Sequence, residues 1–217
     1  YSARANGTDR GMVCGPMQSN RDVTDWAWSP DGLRIAYIAD QDVDGVYELF
    51  TSSPLGTENA KLSAFLNPPE GDVLSFSWSS GGLLAYLTEE TIDGFSRREL
   101  CATSGNGRVQ LSHAGSTNWV EEYQWSPDGT RIAWTQGNYD VQPVRLFLTS
   151  PYLPVEVPVS NQLADTQNVL AFKWSGDGSR IAYTAGTYSN TVSKLYSVDR
   201  DGARVLNVSI DLGVHGR

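Results

Sequence analysis

Residues 22–29, DVTDWAWS, alternate along the chain. Thr24, Trp26 and Trp28 fall on one side, and Val23, Asp25 and Ala27 on the other. A period of two that carries aromatic residues reads as a half-buried β-strand. Pro30-Asp31-Gly32 follows with turn chemistry: proline sets φ, aspartate accepts bonds from its own backbone, and glycine tolerates positive φ. The stretch 33–39 (LRIAYIA) predicts a second strand and 40–45 a polar turn. Residues 46–52 (VYELFTS) predict a third strand, 53–59 another turn, and 60–65 (AKLSAF) a fourth, more polar strand. No long apolar stripe at helical spacing, with capping residues at its ends, is present. The expected fold class is all-β.

The pattern recurs. A Trp-Ser pair stands at Trp28, Trp78, Trp125 and Trp174, at steps of 50, 47 and 49 residues. Two residues before each tryptophan is an aromatic: Trp26, Phe76, Tyr123 and Phe172. Five residues before is a valine: Val23, Val73, Val120 and Val169. Downstream come IAY (35–37), LAY (84–86), IAW (132–134) and IAY (181–183). The second copy departs slightly, with Ser80 and Gly81 in place of Pro-Asp and one residue fewer before LAY. Four short strands repeated at this period are the signature of propeller blades. The expected architecture is a β-propeller domain, or a fragment of one, spanning 1–217. It comprises a partial blade at 1–20 and complete four-stranded blades at about 21–66, 71–114, 118–162 and 167–211. The aromatic-x-Trp pairs (Trp26/Trp28, Phe76/Trp78, Tyr123/Trp125, Phe172/Trp174) are expected to fill the layers between neighbouring sheets. Burying each large ring is worth about 2–3 kcal/mol.

The partial blade rests on an internal alignment. Residues 1–13 (YSARANGTDRGMV) match 196–208 (YSVDRDGARVLNV), and both read as the end of a third strand, a turn and an outer fourth strand. This surplus outer strand predicts a piece of a longer array, the alternative being a four-bladed ring with an additional N-terminal strand. The first and last sheets of such a piece would leave apolar faces uncovered. A second copy covering those faces, in a homo-oligomer, is the expected remedy.

These units resemble the TolB-type β-propeller repeat, a relative of WD repeats, whose hallmark is an inner strand ending in Trp-Ser-Pro-Asp-Gly followed by an apolar-Ala-aromatic strand. The resemblance covers nearly the whole chain. It implies a scaffold whose repeat residues perform no chemistry. It also implies a periplasmic or secreted location, and kinship with the propeller portions of larger proteins such as prolyl-oligopeptidase-type enzymes.

Charge narrows the partners. The net charge is -9, from 25 acidic and 16 basic residues, and the longest basic run is Arg97-Arg98. Nucleic acid is disfavoured, because phosphate binding needs a concentrated positive field. Hydrophobic residues make up 40% of the chain, which excludes wholesale disorder. No apolar run reaches the roughly 18–20 residues that a membrane-crossing helix needs, so membrane insertion is not expected. The chain begins without Met and without an apolar leader, which predicts a processed or excised polypeptide.

Candidate chemistry is sparse. No G-x-S-x-G elbow occurs. The serines of the repeated turn are turn residues, and a nucleophile is not needed four times. His113 follows an outer strand, and His215 is far from it in sequence. Cys14 and Cys101 occupy different places in the repeat, which argues against a disulfide, and no zinc spacing is present. Glu89-Glu90 is expected in a solvated turn. Glu121-Glu122 is expected on an inner strand with its side chains pointing oppositely, and Glu122 shares a column with Asp25, Ser75 and Ala171.

One loop reads as a candidate metal site. In 40–48 (DQDVDGVYE), Asp40, Asp42, Asp44, Gly45 and Glu48 take positions 1, 3, 5, 6 and 9 of a calcium loop, although Thr51 stands where the twelfth-position Glu belongs. The stretch is similar to hairpin loops of integrin-type propellers. Calcium apart, no cofactor is expected. The leading functional expectation is a non-catalytic scaffold that binds a protein or peptide. The alternatives are an accessory propeller of a prolyl-oligopeptidase-type enzyme and a glycan-binding propeller.

Overall fold

In the computed structural model, residues 1–4, 6, 8–63, 71–92, 94–104, 107–112, 119–138, 142–187 and 193–209 are described. Every regular element among them is a β-strand. Sheet 1 holds β1 (Val23–Trp28), β2 (Ile35–Ala39), β3 (Glu48–Ser52) and β4 (Ala60–Lys61). Sheet 2 holds β5 (Gly71–Trp78), β6 (Leu84–Ile92), β7 (Phe95–Ser104) and β8 (Gly107–Gln110). Sheet 3 holds β9 (Val120–Trp125), β10 (Ile132–Asn138), β11 (Gln142–Ser150) and β12 (Leu153–Pro158). Sheet 4 holds β13 (Asn168–Trp174), β14 (Arg180–Gly186), β15 (Lys194–Asp199) and β16 (Val205–Asn207). Each sheet is an antiparallel meander in which sequence neighbours pair. The chain divides into two compact units: Tyr1–Trp119 with Pro151–Pro154, and Val120–Ser150 with Val155–Arg217.

The first strand of each sheet corrects a simple alternation. Val23 lies opposite Ala39, but Asp25 lies opposite Ile38, so two residues of β1 face one of β2. This is a β-bulge, which reverses the parity of everything before it. Val23 therefore shares a face with Trp26 and Trp28, not with Asp25 and Ala27. The same shift occurs between Val73 and Ser75, in β9 before Glu122, and between Val169 and Ala171. The valine column thus joins the tryptophan column on one face of every sheet.

That face is the one a preceding sheet can cover. In the first unit, Ala36, Ile38 and Leu49 of sheet 1 form one cluster with Val73, Leu84, Tyr86 and Cys101 of sheet 2, and Phe76 and Trp78 pack against it. In the second unit, Ala133, Leu146 and Leu148 of sheet 3 meet Val169, Phe172, Ile181, Tyr183 and Val198 of sheet 4, with Trp174 packed alongside. A polar contact fixes the register of each layer. The Trp78 indole N–H donates to the Ala27 carbonyl at 3.3 Å, and that of Trp174 to the Gln124 carbonyl at 3.2 Å.

The deepest rings lie one strand further in. Tyr37, Tyr86, Trp134 and Tyr183 of the second strands are all essentially excluded from solvent. Three of them stack on a third-strand ring: Tyr37 on Phe50, Trp134 on Phe147 and Tyr183 on Tyr196. In sheet 2 the third-strand position is Cys101, opposite Tyr86. Its buried sulfur accepts from Arg108 Nε at 3.1 Å, and burial pushes the thiol pKa up to about 11. Cys14 and Cys101 are both free thiols.

The fourth strands end in a second repeated device. The hydroxyls of Ser63, Ser112 and Ser160 accept the third-strand amides of Leu49, Leu100 and Leu146 at 3.1, 2.9 and 2.8 Å. The residue before each serine donates its own amide to the same leucine's carbonyl, as Leu62 does to Leu49 at 2.8 Å and Val159 does to Leu146 at 2.9 Å.

The Trp-Ser-Pro-Asp-Gly turn is a closed set of hydrogen bonds. Ser126 Oγ donates to Asp128 at 2.6 Å and accepts from the Arg131 amide at 3.0 Å, while the Thr130 amide donates to Asp128 at 3.1 Å. Ser29/Asp31 and Ser175/Asp177 repeat this arrangement. In sheet 2, Gly81 stands in place of the aspartate, and Ser79 Oγ accepts directly from the Leu83 amide at 2.9 Å. The shorter turn keeps its shape because Gly82 holds φ at 83°, as Gly32, Gly129 and Gly178 do at 70°, 69° and 68°.

The serine hydroxyls hold the carboxyls of Asp31, Asp128 and Asp177 below the usual aspartate range. A depressed folded-state pKa means that the unfolded chain binds more protons at acid pH. The stabilisation is therefore complete above about pH 4, near the unfolded aspartate value, and is lost as pH falls through the lower folded values. A triple Asp31→Asn, Asp128→Asn, Asp177→Asn variant should be less stable than the wild type at pH 7, and that deficit should narrow between about pH 4 and pH 2. Urea midpoints measured across this range check it.

Candidate functional site

Two features stand outside the repeat's internal packing: the loop of acidic residues after β2, and the tryptophan-bearing face of sheet 1.

In the loop, the carboxylates are divided among separate partners. Asp40 is buried and accepts the Asp22 amide at 2.7 Å and the Gly45 amide at 3.2 Å. Asp42 and the buried Glu48 converge on one cation, the Lys61 ammonium, each at 3.0 Å. Asp44 points to solvent. Among the described residues, no group of three or more His, Cys, Asp or Glu is placed to hold a metal ion. Burial works against the Lys61 charge, but the bonds from Asp42 and Glu48 outweigh it and hold its pKa above the ordinary lysine value. His113 and His215 lie outside the described residues. Glu89 and Glu90 lie on β6, not in a turn, opposite Arg98 and Arg97, and Arg98 Nε bonds Glu89 at 3.0 Å. On β9, Glu122 is exposed and accepts from Gln124 Nε2 at 2.8 Å.

The face of sheet 1 departs from its equivalents. Val73, Val120 and Val169 are buried, but Val23 is 40% exposed. Trp78, Trp125 and Trp174 are half-buried, while Trp28 is 43% exposed. Phe76 and Tyr123 are likewise half-buried and Phe172 is buried, but Trp26 is 64% exposed. The expectation that Trp26 and Trp28 fill a layer between sheets is thus corrected: among the described residues no sheet covers them.

The N-terminal segment covers part of this face. Ser2 and Gly11 form an antiparallel bridge, exchanging amide-to-carbonyl bonds of 2.9 and 2.8 Å. Ser2 Oγ donates to the Pro54 carbonyl at 2.5 Å. The segment also lies hard against Gly56, where a Cβ would meet the Met12 carbonyl at 1.8 Å and φ is 78°, so glycine is required there. Val13 joins the cluster of Ile35, Tyr37, Ala39 and Phe50, with Cys14 and Met17 packed against it. A polar network secures the segment. Gln41 Oε1 accepts both the Gly15 amide and the Tyr37 hydroxyl at 2.7 Å, and Gln41 Nε2 donates to Asn59 at 3.1 Å.

What remains is a cleft of about 530 Å³. Tyr1, Ser2 and Ala3 form one wall, Val13 and Cys14 lie beside them, and Val23, Trp26, Trp28, Ile35 and Tyr37 complete the lining. It offers apolar surface along β1, the end strand of sheet 1. A second depression, of about 600 Å³ between sheets 1 and 2, carries Arg34 and Lys61. Both cations are engaged, Arg34 by Glu58 at 3.0 Å and Lys61 by Asp42 and Glu48.

No family model and no curated protein matches this sequence. Solved structures do. The dipeptidyl peptidase 4 of Porphyromonas gingivalis superposes at a TM-score of 0.68 with 12% identity, over 93% of this chain and 34% of that one. A puromycin-hydrolyzing peptidase of Mycobacterium tuberculosis superposes at 0.56 with 13% identity, over 90% and 32%. TolB of Acinetobacter baumannii aligns at a TM-score of 0.44 with 15% identity, over 81% and 40%. At these identities the likeness is one of fold, and these neighbours are β-propeller proteins. The chain spans about a third of the length of the two peptidases.

Two outcomes follow from the geometry. Trp78→Phe removes the bond to the Ala27 carbonyl and part of a packed ring, and should cost about 1–2 kcal/mol, whereas Trp28→Phe should stay within about 0.5 kcal/mol. Urea unfolding of both variants compares them directly. Lys61→Met strands the buried Glu48 carboxylate and should cost about 2 kcal/mol at pH 7, less than a fully buried pair because Lys61 is partly exposed. Because the folded Lys61 pKa is raised, the cation's contribution is complete below the unfolded lysine pKa of about 10.4 and is lost as pH rises through the folded value. The wild type's advantage over Lys61→Met should therefore shrink above about pH 10.

Proposed function

We propose that the four sheets are blades of a β-propeller, that the N-terminal segment is the outer half of a further blade, and that the protein is a non-catalytic docking scaffold for a protein or peptide. The observation that carries this reading is the open face of sheet 1, which presents Val23, Trp26 and Trp28 to solvent in columns that are more covered in the other sheets. A contiguous apolar patch beside a free strand edge is the surface that protein and peptide partners use.

Side chains capable of chemistry have structural employment. The turn hydroxyls of Ser29, Ser126 and Ser175 are bonded within their own turns. Cys101 is buried, with a thiol that stays protonated at neutral pH. On the opposite side of sheet 4, Ala182, Leu195 and Leu206 are exposed as well.

A second reading has its own support. The neighbours with TM-scores above 0.5 include peptidases, of which the chain spans about a third. On that reading this is the propeller portion of a peptidase whose catalytic residues lie in another part of the polypeptide.

Two measurements on the purified chain test the proposal. It should release no p-nitroaniline from Gly-Pro-p-nitroanilide. Selection from a random peptide phage library should enrich binders whose affinity falls at least ten-fold in a Trp26→Ala/Trp28→Ala variant. These exposed residues can be truncated without emptying the core. Hydrolysis that co-purifies with the chain, or enriched binders indifferent to the variant, would overturn it.

A further inference from the structure

The layer between sheets 3 and 4 is shut at the end that carries the Trp-Ser-Pro-Asp-Gly turns. The loop joining β15 to β16 lies against sheet 3 there. A Cβ on Gly202 would meet Val159 Cγ1 at 2.7 Å and Val157 Cγ1 at 2.9 Å, and one on Gly178 would meet Pro127 Cδ at 3.3 Å. Two ion pairs cross the seam: Arg131 bonds Asp201 at 2.6 Å, and Arg200 bonds Asp128 at 2.9 Å.

The layer between sheets 1 and 2 is parted at the same place. Gly82 holds the position of Gly178, and a Cβ there would meet nothing within 4 Å. The reason lies in chain length. In sheet 4, Asp199 and Arg204 are bonded across the hairpin, with four residues between them, 200–203. In sheet 2, Ser104 pairs with Gly107, with only Gly105-Asn106 between, and that connection contains no carboxylate. Arg34 occupies the column of Arg131, so the aspartate that Arg131 meets has no counterpart in the shorter hairpin. The gap is the depression of about 600 Å³, with Arg34, Thr51 and Leu62 on one wall and Trp78, Leu84 and Thr103 on the other.

We propose that this gap binds a small organic carboxylate with an apolar body, whose carboxylate meets Arg34 as Asp201 meets Arg131 and whose body lies between Leu62 and Trp78. The site is separate from the face of sheet 1 and stands whether or not that face docks a partner. Arg34 is built to accept such a ligand. A guanidinium has five N–H donors. Nε donates to Thr51 Oγ1 at 3.1 Å, Nη1 to Glu58 Oε2 at 3.0 Å and Nη2 to the Glu58 carbonyl at 3.1 Å. Among the described residues the other two donors have no partner. Glu58 is a weak substitute for the missing aspartate. Its side chain is 71% exposed, and its φ of 60° lies in a region that residues other than glycine, asparagine and aspartate seldom enter. The apolar walls supply the rest of the affinity, since binding sites of this kind pair a mostly apolar lining with a few placed polar groups.

The test titrates the full chain, labelled with nitrogen-15, with 4-phenylbutyrate and follows its amide and indole resonances. Saturating shifts are expected at the Trp78 indole and at the amides of Leu84 and Thr103. The uncharged 4-phenylbutyramide should bind at least ten-fold more weakly. Arg34→Gln should lower the carboxylate's affinity at least ten-fold and leave that of the amide unchanged. Glu58→Asn removes the competing carboxylate, keeps a residue that tolerates positive φ, and should raise the affinity about three-fold. No saturation at millimolar 4-phenylbutyrate would overturn the proposal. So would equal affinity for the acid and the amide, an Arg34→Gln variant that binds like the wild type, or shifts confined to Val23–Trp28, which would place the ligand on sheet 1's open face instead.

Discussion

Each sheet of this protein has two apolar faces and cannot keep both from water unaided. Everything else follows from that constraint. Four short strands bury little by themselves, so stability comes from laying one sheet on the next. The layers seen in each unit are asymmetric. One side offers alanine, isoleucine and leucine; the other offers valine, a ring and tryptophan. Small residues opposite large ones let the layers interdigitate without voids. The indole N–H then fixes the register by taking a main-chain carbonyl that would otherwise lose solvent without a partner.

The bulge in each first strand makes this asymmetry possible. Without it, Val23 and its equivalents would point away from the tryptophan face and carry an apolar residue into the wrong layer. With it, three large side chains of a short strand reach the same side. The cost is one unpaired backbone position per sheet, at an edge strand where pairing is already one-sided.

Much of this was legible in the residues. Trp-Ser-Pro-Asp-Gly recurs with its bonds, most strands fall where alternation and turn chemistry place them, and Ser2 and Gly11 do bridge where the alignment of 1–13 with 196–208 indicates. The bulge was not legible, because a period of two read along one strand says nothing about the strand opposite. Cys101 concealed its role because the residue in its column is elsewhere an aromatic, so the third-strand column is visible only once Phe50, Phe147 and Tyr196 are seen stacking. Lys61 is not legible as a partner of the acidic loop because it is thirteen residues from Glu48 in sequence, and its ammonium meets Glu48 only across an antiparallel strand pair. The serine after each fourth strand had a signal, the recurring Leu-Ser or Val-Ser at 62–63, 111–112, 159–160 and 208–209.

The open cleft gains its meaning from what it lacks. A sheet face built to meet water carries polar residues, since repeat arrays remain soluble only when their ends are capped. Sheet 1 instead exposes a valine and two tryptophans, in the same columns as a sheet with a neighbour. Its N-terminal segment is bound by an obligatory glycine, a buried valine and a glutamine–tyrosine–asparagine network, and it reaches only over the outer strands.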